Sequence, residues 1–193
     1  VHGMKFGEDG LFVNEIILKK AKLGILADTL HYYRKRLDQS SAVQNQRMNK
    51  EYYSASPRKY YYSLIDISKK NYGEVIPYVQ NILAYDIGWR LDNEIPEGVL
   101  TQEEYQDYYD MLHDLFSYVD EKVILTSKVH VSIIRKLTAM SIKKNSDTFF
   151  KDMVYNHEEQ ALYYNDIKMV SLGLNNNACF VNIVKIKNNT LHV

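Results

Sequence analysis

The sequence predicts an α+β chain that is mostly α: a helical bundle in the middle, the C-terminal edge of an α/β domain before it and the start of a β-rich module after it. Three observations predict this. Between residues 47 and 145, apolar side chains recur at spacings of three and four, the helical period. Behind an N-terminal helix, residues 22–27 and 29–34 form two short runs with strand character, separated by a turn near Asp28. Residues 178–187 alternate and are rich in Val and Ile. On this reading the 193 residues divide into segments 1–46, 47–147 and 148–193.

The first helix is expected from Asp9 to Lys20, with Phe12, Val13, Ile16 and Ile17 on its packing face. Residues 38–42 read as a polar loop. Ser56-Pro57 gives the next start signal, Ser as N-cap and Pro at the first helical position. Tyr60, Leu64 and Ile67 follow, and Gly73 ends the helix. A helix over 74–91 carries Pro77 in its first turn, where the missing N–H costs little; Val79, Leu83 and Ile87 form its stripe. Pro96 and Gly98 break the chain. Thr101 and Glu104 have the spacing of a capping box, and Tyr105, Tyr108, Leu112, Leu115 and Val119 form a seam behind it. A basic helix over 127–144 turns Ile133, Leu137 and Met140 inward. Residues 152–164 are mixed. Asn188-Asn189 reads as a hairpin turn before a returning strand at Thr190.

The charge pattern sharpens this. There are 24 basic and 24 acidic side chains, which excludes a general polyanion binder, and no nucleic-acid partner is expected. Locally the charges segregate. Residues 92–121 hold ten acids and no Lys or Arg, whereas 122–144 hold six basic residues and no acid. Segments of opposite sign are expected to pack together or to solvate two faces of one bundle. Residues 34–59 hold seven basic residues and two acids. A single cysteine, Cys179, excludes a disulfide framework within the chain. No run of 18 apolar residues offers a transmembrane segment. The six histidines lack metal-ligand spacing, and phosphate-loop, dinucleotide and nucleophile-elbow motifs are missing.

The chemistry concentrates at the front. Gly7-Glu8-Asp9 opens a helix. Lys22-Leu-Gly24 follows, then Leu30-His-Tyr-Tyr-Arg-Lys-Arg36, then Asp38-Gln-Ser-Ser-Ala42. In order and spacing these elements resemble the distal half of the catalytic domain of family 2 glycosyltransferases, inverting enzymes of the GT-A type that use nucleotide sugars in bacterial surface polysaccharide synthesis. The resemblance implies that Asp9 is the general base and Glu8 a supporting or acceptor-binding carboxylate. Such a base takes the acceptor hydroxyl's proton as it attacks the anomeric carbon. A helix N-terminus favours the ionised carboxylate, although the same position also suits a plain helix cap. The resemblance further implies that Arg34 and Arg36 stabilise the departing nucleoside diphosphate, with Ser40 and Ser41 adding hydroxyl donors; a solvated basic strand end explains these four equally well.

Residues 52–90 are similar to the helical region that follows the catalytic core in large enzymes of this type. Residues 184–192 resemble the start of a β-rich accessory domain. The family's nucleotide-binding half and its Asp-x-Asp, which would hold Mg or Mn in the parent enzyme, should lie before Gly7; no metal is expected on this chain. Asp107, Asp110 and Asp114 have helical spacing and fit a solvated face. The expected parent takes a nucleotide-sugar donor and a glycan acceptor, acts in the cytoplasm or at the inner face of the membrane, and joins this chain to neighbouring domains. The chain alone is expected to be inactive. Two alternatives stay open: a non-catalytic helical interaction or scaffold domain, and a spacer serving a glycerophosphotransferase module.

Overall fold

The computed structural model describes residues 4–24, 30, 45–91, 94–127, 133–146 and 148–171, and the backbone alone of 185–187 and 190–192. The fold is α+β and mostly α, in two units, 1–146 and 147–193.

The first unit is helical. Its elements are α1 (Glu8–Lys20), α2 (Ala55–Tyr72), α3 (Pro77–Arg90), α4 (Gln102–Ser117), α5 (Glu121–Thr126) and α6 (Ile133–Lys144), with short 3-10 turns at Gln46–Met48 and Lys50–Tyr52. Local chemistry sets the boundaries. Gly73 ends α2 in a left-handed conformation, φ 80°, its N–H donating to the Lys69 carbonyl. Pro77 opens α3 at its first position. Thr101 and Glu104 form a complete capping box on α4: Glu104 N donates to Thr101 Oγ1 at 3.2 Å and Thr101 N donates to Glu104 Oε2 at 2.8 Å.

Helix α1 lies on α2 and α2 on α3; α3 touches α4, α5 and α6, and α4 packs on α6. The core comprises Leu64 and Ile65 of α2, Val79, Leu83 and Ile87 of α3, Leu112, Leu115 and Phe116 of α4, Leu125 of α5 and Met140 of α6. The acidic α4 and the basic α6 pack together, as the charge pattern allows. Lys143 Nζ donates to the Phe116 carbonyl at 2.8 Å, His113 Nδ1 meets the Ile142 carbonyl at 2.7 Å, and Lys144 pairs with Glu121 at the start of α5.

Several expectations need correction. Helix α2 begins at Ala55, with Ser54 rather than Ser56 as N-cap; Ser56 and Pro57 lie inside the first turn, where the proline still forfeits no helical hydrogen bond. Helix α3 begins at Pro77, three residues later than expected, because Ser68 holds the preceding segment: its Oγ donates to the Glu74 carbonyl and accepts from Ile76 N. Tyr105 stands 49% exposed, outside the α4 seam. The basic segment holds a separate short helix, α5, before α6. On α1, Phe12, Val13 and Ile16 are exposed, and the buried residues are Leu11 and Leu18. Residues 22–24 and Leu30 are neither helix nor strand. The rest of the two N-terminal strands, the 38–42 loop and the 188–189 turn lie outside the described residues.

The second unit carries a three-stranded antiparallel sheet of β1 (Met153–Asn156), β2 (Ala161–Tyr164) and β3 (Ile167–Ser171), in the order β1-β2-β3. Between β2 and β3, Asn165 and Asp166 both take positive φ, 45° and 63°, the signature of a type I′ hairpin turn. Ala161, Tyr164, Met169 and Phe149 are buried. An open polar groove of about 590 Å³ is lined by Asp152, Asn156, Glu159, Tyr163, Asn165 and Asp166, among others. A two-stranded ribbon pairs β4 (Lys185–Lys187) with β5 (Thr190–His192), Lys187 opposite Thr190.

Candidate functional site

Glu8 and Asp9 occupy the first turn of α1 and are exposed to solvent. Gly7, not Asp9, is the N-cap. It takes φ 84°, a left-handed conformation open to glycine at little cost, and its carbonyl accepts the first helical bond from Leu11 N at 2.9 Å. The Asp9 carboxylate accepts from Gly10 N at 2.7 Å, one of the first-turn amides that a helix leaves without an internal partner. Both carboxylates stand at the positive end of the helix dipole. Lys19 and Lys20 complement the other end.

The first turn of α1 rests on one aromatic ring from α2. Tyr60 is buried and lies against both glycines that flank the carboxylates. A β-carbon on Gly7 would sit 3.8 Å from Tyr60 Cγ, and one on Gly10 would sit 3.3 Å from the Tyr60 hydroxyl. The second distance is tighter than ordinary packing allows, so glycine at position 10 lets the helix approach the ring closely. One turn on, Asn14 Nδ2 donates to the Gly10 carbonyl at 2.9 Å and to the Tyr60 hydroxyl at 3.2 Å. Its Oδ1 accepts from the Tyr78 hydroxyl of α3. The Asp86 carboxylate of α3 and the Tyr60 hydroxyl interact electrostatically. Burial raises the Asp86 carboxyl above its ordinary range, while Arg90 and Tyr60 act in the opposite direction. Burial also raises the Tyr60 phenol, and Asp86 reinforces this. The far end of α1 is fixed as well: the Tyr72 hydroxyl and Asn71 Nδ2 donate to the Leu18 carbonyl at 2.7 and 3.4 Å.

Arg90 closes the network. Its Nε donates to the Tyr61 hydroxyl at 2.9 Å and its Nη1 to the Tyr52 carbonyl, and the guanidinium stands 4.0 Å above the Tyr52 ring. Tyr52 meets Phe6 edge-on at 5.9 Å, so the segment entering α1 touches the same aromatic group.

Of the residues singled out in the sequence, Glu8 and Asp9 stand together on this first turn. Arg34, Arg36, Ser40 and Ser41 lie outside the described residues. Sequence reasoning placed Tyr60 in an apolar stripe and passed over Gly10, Asn14, Tyr78 and Asp86. The available signal was the second glycine of Gly7-Glu8-Asp9-Gly10, which is costly within a helix unless something packs closely against it. Among the described residues, no group of three or more His, Cys, Asp or Glu is placed to hold a metal ion. A divalent metal of the kind the resemblance implies therefore has no donor set in this first turn.

No protein-family model matches the chain, and no solved structure matches it. Two proteins of Bacillus subtilis (strain 168) are similar to it. Minor teichoic acid biosynthesis protein GgaB is 30% identical over 192 residues, 98% of this chain and 21% of that protein. Minor teichoic acid biosynthesis protein GgaA is 31% identical over 124 residues, 63% of this chain and 28% of that protein. The chain spans between about a fifth and a little over a quarter of the length of these relatives. Among the described residues, no helix is long and apolar enough to cross a membrane.

Proposed function

We propose that this chain is part of a transferase of teichoic-acid-like surface-glycan synthesis, and that the reaction is inverting transfer of a sugar from a nucleotide sugar to a glycan hydroxyl. The observation that carries the reading is the similarity to GgaB along nearly the whole chain, a protein named for teichoic acid biosynthesis. The exposed Glu8–Asp9 pair on a helix N-terminus supports it chemically.

In this reading Asp9 takes the proton of the acceptor hydroxyl as that oxygen bonds to the anomeric carbon. The bond from that carbon to the nucleoside diphosphate breaks, and the leaving group departs with the electron pair. Glu8 holds the acceptor by a second hydrogen bond. A carboxylate suits the role of base, and Asp9 stands exposed at the positive end of the helix dipole. Arg34 and Arg36 offset the charge on the leaving diphosphate, and Ser40 and Ser41 donate to it. The residues that bind the nucleoside and sugar, and the divalent metal they would hold, belong in this proposal to other parts of a longer polypeptide. The reaction is placed on the cytoplasmic side of the membrane.

The test is release of nucleoside diphosphate by the full-length protein. The donors are a panel of UDP-, GDP-, CDP- and dTDP-sugars, with membranes carrying the wall glycan as acceptor. Acceptor-dependent release from one donor supports the reading, and no release from any donor contradicts it. Calorimetric titration of residues 1–193 with the same panel should show no micromolar binding; micromolar affinity would contradict a donor site located elsewhere.

A further inference from the structure

We infer that Tyr60 is the positioning residue for the Glu8–Asp9 pair, an inference that rests on the reading of Asp9 as the transferase base. The helices α2 and α3 then act as the template that sets the base in place. The geometry is particular. One buried ring lies next to the residue before the pair and the residue after it: a β-carbon at either glycine would come within 4 Å of the ring or its hydroxyl. Gly7 supplies the left-handed turn into the helix, and Gly10 admits the ring to 3.3 Å of its β position.

The hydroxyl of the same ring is itself held. It accepts from Asn14 of α1, while Tyr78 of α3 donates to the other end of the Asn14 amide. Two elements outside α1 thus fix its pitch through hydrogen bonds whose donors and acceptors are matched. A base must meet the acceptor hydroxyl at hydrogen-bond distance, and displacement by about 1 Å costs on the order of 100-fold in rate. Among the described residues, Glu8 and Asp9 make no hydrogen bond or ion pair with α2, and the Asp9 carboxylate accepts only from the neighbouring Gly10 N. This is how a residue acts through another: Tyr60 never reaches the substrate.

The experiment uses the full-length protein and the nucleoside diphosphate release assay, with the donor panel and acceptor membranes named above. Tyr60→Leu is expected to lower kcat by about tenfold or more with the donor KM changed by less than about twofold, because the lost contact orients the base and binds no donor. In an Asp9→Asn background the same change is expected to lower the residual rate by less than about twofold, since a positioning residue has no effect once its client is gone. Tyr60→Phe keeps the ring on both glycines and should recover most of the rate. Gly10→Ala preserves Tyr60 in the core and pushes the first turn off the ring; it serves where Tyr60→Leu does not fold, and should lower kcat in the same way. Tyr62→Phe, which removes only an exposed bond to Asp114, is the control and should leave kcat unchanged. If Asp9→Asn abolishes turnover while folded Tyr60→Leu or Gly10→Ala retains it, the positioning role is wrong and the base stands. Equal losses from Tyr60→Leu with and without Asp9 reduce Tyr60 to a structural residue. If Asp9→Asn leaves turnover intact, the base reading fails and this inference with it.

Discussion

Arg90 holds Tyr52 in two ways at once: its guanidinium stacks 4.0 Å above the Tyr52 ring while its Nη1 donates to the Tyr52 carbonyl. The planar fork makes this possible, because one face is left for the ring while the edge donates, and Nε still reaches Tyr61. Lysine offers a point charge without that edge-and-face division. Arg90→Lys is therefore expected to lower stability by about 2–3 kcal/mol, the scale of charge-assisted bonds with a partly desolvated cation–π contact. Urea unfolding of residues 1–193 measures it, and a change within about 0.5 kcal/mol would show that the fork is not what holds the segment.

Asp86 sets a pH dependence. Burial raises its carboxyl, so the folded state binds the proton more tightly than the unfolded one. The stability this gives is full below the unfolded pKa, near 4, and is lost as pH rises through the folded value. Asp86→Asn keeps the side chain's size and removes the titration. Its unfolding free energy should fall less steeply than that of the parent chain as pH rises from about 4 toward neutrality. Denaturant titrations at a series of pH values check this, and parallel slopes would contradict it.

The two sides of α1 should respond oppositely. Phe12, Val13 and Ile16 are exposed, so replacing each with Gln in residues 1–193 should change stability by about 0.5 kcal/mol or less per site. Leu11→Ala and Leu18→Ala remove buried side chains and should cost about 2–5 kcal/mol each. Thermal melts of the single variants distinguish the two faces.

The capping box on α4 predicts a smaller, local effect. Thr101→Ala leaves Glu104 N without its partner and should cost about 1 kcal/mol. Lys50 and the box hold the Glu104 carboxyl below its ordinary value. Its contribution is therefore present above the unfolded pKa and is lost as pH falls through the folded one. Hydrogen exchange at the amides of 102–105 should accelerate in Thr101→Ala while the rest of α4 is unchanged.

What could be read from the chain follows the range of the interaction. The Thr101–Glu104 box, the Gly73 stop and Pro77 were legible because both partners lie within one turn. The Leu83, Ile87, Leu112, Leu115 and Met140 stripes were legible because burial follows the helical period. The face of α1 was not, because Phe12, Val13 and Ile16 are exposed and the packing side combines Leu11 and Leu18 with Gly10 and Asn14. Their partner, Tyr60, lies about fifty residues away. The β character of residues 148–193 was legible, but strands β1–β3 were not placed one by one, because each holds four or five residues, too few for a clear alternation; the Asn165-Asp166 turn was the local clue. At the site, the carboxylate pair was visible as a motif, whereas the ring beneath it follows from tertiary packing alone.

The central claim is that Asp9 is the base of a sugar transfer. The most direct measurement compares Asp9→Asn with the parent sequence in the full-length protein, following acceptor-dependent release of nucleoside diphosphate from the active donor. A fall in kcat of about 10²–10⁴-fold with donor binding retained is expected. Turnover of Asp9→Asn within about twofold of the parent would contradict it.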